Sequence, residues 1–436
     1  MTKATASALV VTGASLLAAP ALASPALLAH QAPLAIDNAA TGWILTSTAL
    51  VLLMTLPGLA LFYGGMVRRK NIISVLAQSA AAFAVVSVLW FLVGYSLSFG
   101  RGPEAVNGLI GGVEAAFLNG VTAGTAHSLL PGLPELLFVA FQMTFAIITP
   151  ALIAGAFAER MKFSASVLFF ALWHLIVYAP ICHQVWGGGY LGGMGVLDFA
   201  GGAVVHVNAG VAGLVCALVL GPRHGFGRDN MAPSNLAYSA IGTGLLLVGW
   251  LGFNAGSAGA ADALAATAAF NTILAAAAAA IGWTAVEWIE RKRPTLLGLL
   301  SGIVGGLVAI TPAAGFVDPK GAFWIGLIAG PACYAGAVWL KHALKYDDSL
   351  DAFGVHGVGG IVGALLTGVF ATTAVNPLAE GATVWKQAVG LAGAMAWSAA
   401  GTFVVLMICK FTTGLRVSRD EEVEGLDYTQ HGETLH

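Results

Sequence analysis

The chain has 436 residues, of which 58% are hydrophobic and only 9% are Asp, Glu, Lys or Arg. A soluble domain carries about 25% charged residues, so this composition excludes a water-covered surface and calls for lipid. The formal net charge of −2 excludes a polyanion such as nucleic acid as the partner. The 57 glycines suit helices that pack closely in a membrane.

In chain order, residues 1–23 read as a signal peptide, with Lys3, an apolar run and Ala21, Leu22 and Ala23 as the small-residue cleavage site. Residues 24–412 form the membrane domain, with eleven apolar segments at about 42–66, 73–99, 135–158, 163–184, 202–221, 236–256, 262–288, 296–313, 321–342, 352–374 and 384–412. Each is long enough to span a hydrocarbon core of about 30 Å, or nearly so. Charge alternates along them. Fifteen basic residues follow odd-numbered segments: Arg68, Arg69, Lys70, Arg160, Lys162, Arg223, Arg228, Arg291, Lys292, Arg293, Lys341, Lys345, Lys410, Arg416 and Arg419. Only Arg101, Lys320 and Lys386 fall on the other side. The richer side is cytoplasmic by the positive-inside rule, which puts the N-terminus outside and the tail, 413–436, inside. The tail is polar and begins with a helix-breaking Gly414. No loop is long enough for a catalytic domain, so the chain is not an enzyme and works within the membrane.

The four cysteines, Cys182, Cys216, Cys333 and Cys409, sit in separate apolar segments without CxxC spacing and read as buried thiols. Two histidines recur in one setting. The pattern VHxxxGxxG occupies 205–213 and again 355–363, in the fifth and tenth segments. Segments 1–5 and 6–10 are then two halves, and because five is odd the second half runs through the membrane in the opposite sense. The fold class is thus an all-α polytopic membrane protein of two inverted five-helix repeats plus one extra helix. Such repeats hold a substrate site near the midplane between them. With Asp198 capping the external start of segment 5 and Asp351 the internal start of segment 10, His206 lies roughly 12 Å and His356 roughly 8 Å inside their respective faces. The two rings can therefore meet. Ionisable groups within a bilayer mark a pathway. His174 and His183 have no counterpart, and read as a structural and an external-face residue. A bis-histidine haem or metal site is disfavoured, because neither histidine has a second ligand at i+3 or i+4; no cofactor and no metal is expected.

The stretches "PGLALFYGGMVRRKN", "VWGGGYLGGMGVLDFAGGAVVHVNA", "GWLGFNAGSAG" and "DAFGVHGVGGIVG" resemble the ammonium transporter (Amt/Mep/Rh) family, in its bacterial Amt type, from about residue 40 to the end of the chain. The resemblance implies a homotrimer in the cytoplasmic (inner) membrane of a bacterium, with one pore per subunit. It also implies a PII-type regulatory protein at the cytoplasmic face. By the same resemblance, His206 and His356 are the twin histidines of the pore and a proton relay. Phe145, Trp186 and Ser257 bind ammonium, or its analogue methylammonium, at the external vestibule. Phe145 and Phe253 form the gate, and Asp198 is the carboxylate near the vestibule, which can equally serve as the cap. Phe141 and Trp250 belong to the same region, and Asp351 caps segment 10 and so positions His356. The alternative function within the family is ammonium sensing through the tail.

Overall fold

The computed structural model describes residues 36–122 and 124–435; residues 1–23, expected from sequence to be a signal peptide, lie outside them. Among the described residues ten helices are long and apolar enough to cross a bilayer: α1 (Asn38–Met66), α2 (Arg69–Phe99), α3 (Glu135–Phe157), α4 (Phe163–Gly193), α5 (Gly202–Leu220), α6 (Leu236–Ala255), α7 (Ala263–Arg291), α9 (Pro319–Leu344), α10 (Phe353–Phe370) and α11 (Val384–Thr412). The eighth apolar segment is the shorter α8 (Leu296–Ile310). Its 15 residues reach only about 22 Å at 1.5 Å per residue, less than the 296–313 expected, because the chain breaks into turns from Thr311. Polar residues set several starts: the side chains of Asp37, Asn235, Asp262, Thr295, Asp318 and Thr383 accept N–H bonds from the first helical turn.

Several helices contain a π-helical turn, the wider winding that aims side chains off the regular stripe. The turns recur in corresponding helices of the two halves. α1 carries Met54–Leu59 and α6 carries Leu251–Ala255. α4 carries His174–Tyr178 and α9 carries Ala335–Leu340. α5 opens with Gly202–Val207 and α10 with Phe353–Gly357. Only the turn at Trp90–Gly94 of α2 lacks a mate in α7.

α5 and α10 cross through a pair of exchanged contacts. A Cβ on Gly210 would strike the backbone of Gly357, and one on Gly360 would strike the Val207 side chain and crowd the Val207 and Gly202 backbone. Each glycine four residues after one histidine thus accepts the residue following the other histidine. The same contact made twice with partners swapped is the mark of a local two-fold relation.

Two features depart from a purely helical picture. Between α2 and α3 a short antiparallel pair forms from β1 (Ala126–His127) and β2 (Leu130–Pro134). At the opposite face, where the basic residues cluster, the tail does not trail away. Gly414 takes φ +72 and ends α11, after which α12 (Arg419–Glu424) and α13 (Leu426–His431) dock on the loops. Arg416 pairs with Met161 in an isolated bridge. Leu426 N donates to Asn71 Oδ1, Ser74 N to Asp427 Oδ1 and His224 N to Glu422 Oε1. Leu426, Asp427 and Glu422 are buried.

Candidate functional site: a pore between the two halves

The site begins at the entry to α5. Gly201, at φ +111, is a backbone position that an L side chain rarely takes. It swings the chain so that Asp198 faces four amides: Oδ1 accepts from Gly201 N (2.9 Å) and Gly202 N (2.5 Å), Oδ2 from Ala203 N (2.8 Å) and Val204 N (3.0 Å). Burial pushes the Asp198 carboxyl above its ordinary value, and the four amides pull the other way. Its backbone oxygen also accepts from Trp186 Nε1 at 2.9 Å, so one residue fixes both the helix start and the indole.

From the π-helical turn that follows, His206 meets His356 of the matching turn in α10. Their Nδ1 atoms are 3.3 Å apart and their rings nearly parallel at 15°. Both are buried, at 1% and 3% exposure. Two imidazoles bonded through Nδ1 need one donor and one acceptor there, which leaves both Nε2 atoms for something else. His206 Nε2 has no protein partner.

Aromatic rings stack away from His206. Trp250 lies parallel to it at 5.3 Å and Phe253 at 5.9 Å. Phe253 pairs with Phe145 at 4.2 Å, 30° from parallel. Phe145 in turn touches Phe141 at 5.0 Å and meets Trp186 edge-on at 6.0 Å and 89°. Trp250 is held by its own Nε1, which donates to Thr311 Oγ1 at 2.9 Å. Beyond the phenyl pair is a cavity of about 300 Å³ whose walls include Phe141, Gln142, Trp186 and Ser257, with Leu130 and Leu133 of the β2 strand. Ser257 Oγ donates to Phe253 O at 2.8 Å, which leaves the hydroxyl free to accept a bond from the cavity.

A model of the Ammonium Transporter Family matches residues 42–435. The chain belongs to the ammonium transporter family. It is accordingly a transporter and not an enzyme. An ammonium transporter of Bacillus subtilis (strain 168) is 50% identical over 398 residues, covering 88% of this chain and 95% of its own. A putative ammonium transporter of Methanothermobacter thermautotrophicus is 47% identical over 407 residues, covering 92% and 98%. Among solved structures, Saccharomyces cerevisiae Mep2 superposes with a TM-score of 0.82 at 38% identity over 88% of each chain. A structure described as a sensor Amt protein reaches 0.82 at 31% identity, covering 90% of this chain and 98% of that one.

For two residues of this family member, Asp351 and His183, the sequence expectation needs correction. Asp351 does not cap α10. Asp348 does: Oδ1 accepts from Ala352 N (3.1 Å) and Oδ2 from Phe353 N (2.7 Å). Asp351 sits at φ +60 and pairs with Lys341. The reason is geometric. That left-handed residue just before the first helical turn points its own carboxylate outward, and the cap passes to the aspartate three positions upstream. Burial and the neighbouring Asp351 carboxylate push the Asp348 carboxyl up to about 6.

The other histidines divide as follows. His174 is buried between Tyr178, stacked at 5.6 Å, and Trp90 at 5.9 Å. His183 was expected at the external face; it lies toward that end of α4 but is only 1% exposed. Its ring nitrogens meet Ser98 O (3.0 Å) and Asn107 O (2.6 Å), because residues 98–107 fold back over it. All four cysteines are buried.

Sequence reading passed over three members of this neighbourhood. Gln142, with a buried Oε1 that lacks a partner, lines the cavity beside Phe141. Thr311 anchors Trp250. An ion cluster under the basic face ties four loops together: Glu159 binds Arg68 (2.8 Å) and Arg223 (3.1 Å), and Arg223 binds Asp347 (2.8 Å). Burial pushes the Glu159 carboxyl up, but the guanidiniums of Arg223 and Arg68 outweigh it and hold it below the usual range. Asp347 is likewise held down against burial, by Arg223. For Gln142 the signal was available, an amide inside the apolar run "FVAFQMTFAII".

Proposed function

We propose that this transporter takes ammonium at the Trp186 cavity, strips its proton, and conducts ammonia past Phe145 and Phe253 along His206 and His356. The observation that carries this is the 3.3 Å contact between two buried imidazoles, one from each half, under a closed phenyl pair. Taking a bare cation into a low-dielectric interior costs on the order of 20 kcal/mol in the ideal limit. Deprotonating an alkylammonium of pKa about 10.4 at pH 7 costs roughly 4–5 kcal/mol. The second route wins. Trp186 and Phe145 return about 0.5–2 kcal/mol each to the cation at the mouth, and the Ser257 hydroxyl accepts one of its N–H bonds. Asp198 acts here through the α5 start and the Trp186 indole. The paired imidazoles then offer ammonia one donor and one acceptor in an otherwise dry passage, and can relay a proton. Potassium, with no proton to give, is refused.

The 15-to-3 distribution of basic residues supports a cytoplasmic tail and uptake from the far face, in the inner membrane of a bacterium. The family resemblance supports a homotrimer, and the docked basic face is where a PII-type regulator would sit. The likeness to a sensor Amt protein favours sensing through the tail as the second reading. Uptake of methylammonium into cells lacking their own ammonium transporters separates the two, since a pure sensor leaves flux unchanged. In the same assay His206→Ala and His356→Ala are expected to abolish flux or admit potassium. Unaltered flux with potassium still excluded in both variants refutes the pore.

A further inference from the structure

The basic face carries a constellation that the pore does not use. α5 ends at Leu220, and the chain turns tightly through Gly225 (φ +81) and Gly227 (φ +74), with Arg228 N bonded back to Gly225 O at 2.9 Å. This loop faces the docked tail across a cavity of about 400 Å³ whose lining includes Arg223, His224, Arg228, Arg416, Arg419 and Glu422.

Four guanidiniums therefore surround a space that holds one carboxylate. Two of them are committed. Arg223 is spent on Asp347 and Glu159, and Arg416 on Glu422 at 2.7 Å and Leu220 O at 2.9 Å. The other two are not. Arg228 and Arg419 have no ion-pair partner among the described residues, and both are exposed. The nearby acids do not line the space: Asp229 lines a neighbouring cavity with its carboxylate over Gly225 of the loop, Asp420 is exposed, and Glu421 accepts from Ser418 N and from Gln430 Nε2. Two unpaired arginines, one from the loop and one from the tail, line the same cavity, and an anion held between them would meet both. The planar guanidinium fork matches the oxygens of a phosphate or a carboxylate in pairs; a phosphate, with more oxygens than a carboxylate, can meet forks from two sides, and the space admits more than a single ion.

We infer that this cavity binds a phosphate-bearing ligand between Arg228 and Arg419, and that the ligand latches the tail onto the loop. The lining begins just past the last turn of an apolar helix, at the boundary between lipid and water. The phosphate can therefore come from an anionic lipid headgroup or from a soluble phosphate compound; the chemistry recognised is the same.

The test uses the full chain, purified in a neutral detergent or placed in lipid discs, with hydrogen exchange of the amides at 418–431 as readout. Inorganic phosphate is titrated against chloride at equal ionic strength, and phosphatidylglycerol discs are compared with phosphatidylcholine discs. Exchange in the tail is expected to slow in wild type, and the double variant Arg228→Gln, Arg419→Gln to need at least about tenfold more phosphate, or to show no response, because both charged contacts are lost. The control pair Lys292→Gln, Arg293→Gln, in the exposed loop between α7 and α8, should respond as wild type. Slowing by inorganic phosphate identifies a soluble source, and slowing by phosphatidylglycerol alone a lipid one. No slowing by either probe, equal slowing by chloride, or an unchanged response in the double variant overturns the inference. Both arginines are exposed, so the variants test binding and not folding.

Discussion

Asp198→Asn separates a structural carboxylate from one that serves the cation. The native carboxylate accepts four amide bonds, two on each oxygen, in a site 7% exposed. Asparagine keeps one acceptor oxygen and turns an NH2 group toward two N–H donors. Two charge-assisted bonds are lost and two buried donors are left unmet, at about 1.5–3 kcal/mol each, for a total of roughly 3–6 kcal/mol. The same change loosens the Asp198 carbonyl that holds the Trp186 indole. The purified variant should therefore unfold at a clearly lower temperature than wild type, and methylammonium flux should fall at every salt concentration. Thermal unfolding followed by the loss of monodisperse protein, alongside flux at two ionic strengths, makes the measurement. A variant that unfolds with wild-type behaviour, while losing affinity in a manner that salt abolishes, would show that the carboxylate attracts the cation directly and would refute the capping argument.

His127 gives a pH dependence with a definite sign. Its ring stacks on Phe138 at 3.7 Å, its Nδ1 accepts from Leu129 N at 3.2 Å, and burial lowers its pKa to about 4 from the usual 6.5. A histidine held neutral stabilises the β1–β2 pair above pH 6.5, and that stability is lost as pH falls from 6.5 toward 4, by up to about 3 kcal/mol. The protection of the amides at 126–134, with exchange referred to its intrinsic rate at each pH, should fall across that window in wild type and stay level in His127→Phe; equal slopes in the two would rule it out. Under the basic face, Glu159→Gln removes the carboxylate shared by Arg68 and Arg223. Breaking a buried pair from one side costs about 3–5 kcal/mol, so the unfolding temperature should drop, and an unchanged midpoint would mean that solvent reaches the two arginines.

Much of this protein was legible from residue order alone. Span number, the spaced VHxxxGxxG repeat and the expected meeting of His206 with His356 rest on apolar run length, charge counts and a spaced motif. These are sums over neighbours in the chain and need no knowledge of distant partners. Asp198 belongs to the same class, since its donors are the amides three to six residues on. Other features were decided only when the helices packed. The meeting of the two histidines, 150 residues apart in sequence, is accompanied by Gly210 and Gly360 each receiving the residue after the opposite histidine. The cap of α10 went to Asp348 and not Asp351 because a left-handed residue intervened, and three aspartates within "DDSLD" look alike on paper. The tail reads as polar chain, yet Glu422 and Asp427 are buried because donors come from the loop after α5 (His224 N) and from the first turns of α2 (Ser74 N), which the bundle brings beside the tail. A polar side chain can be buried only where its hydrogen bonds are met, and for these residues the groups that meet them are supplied by tertiary structure.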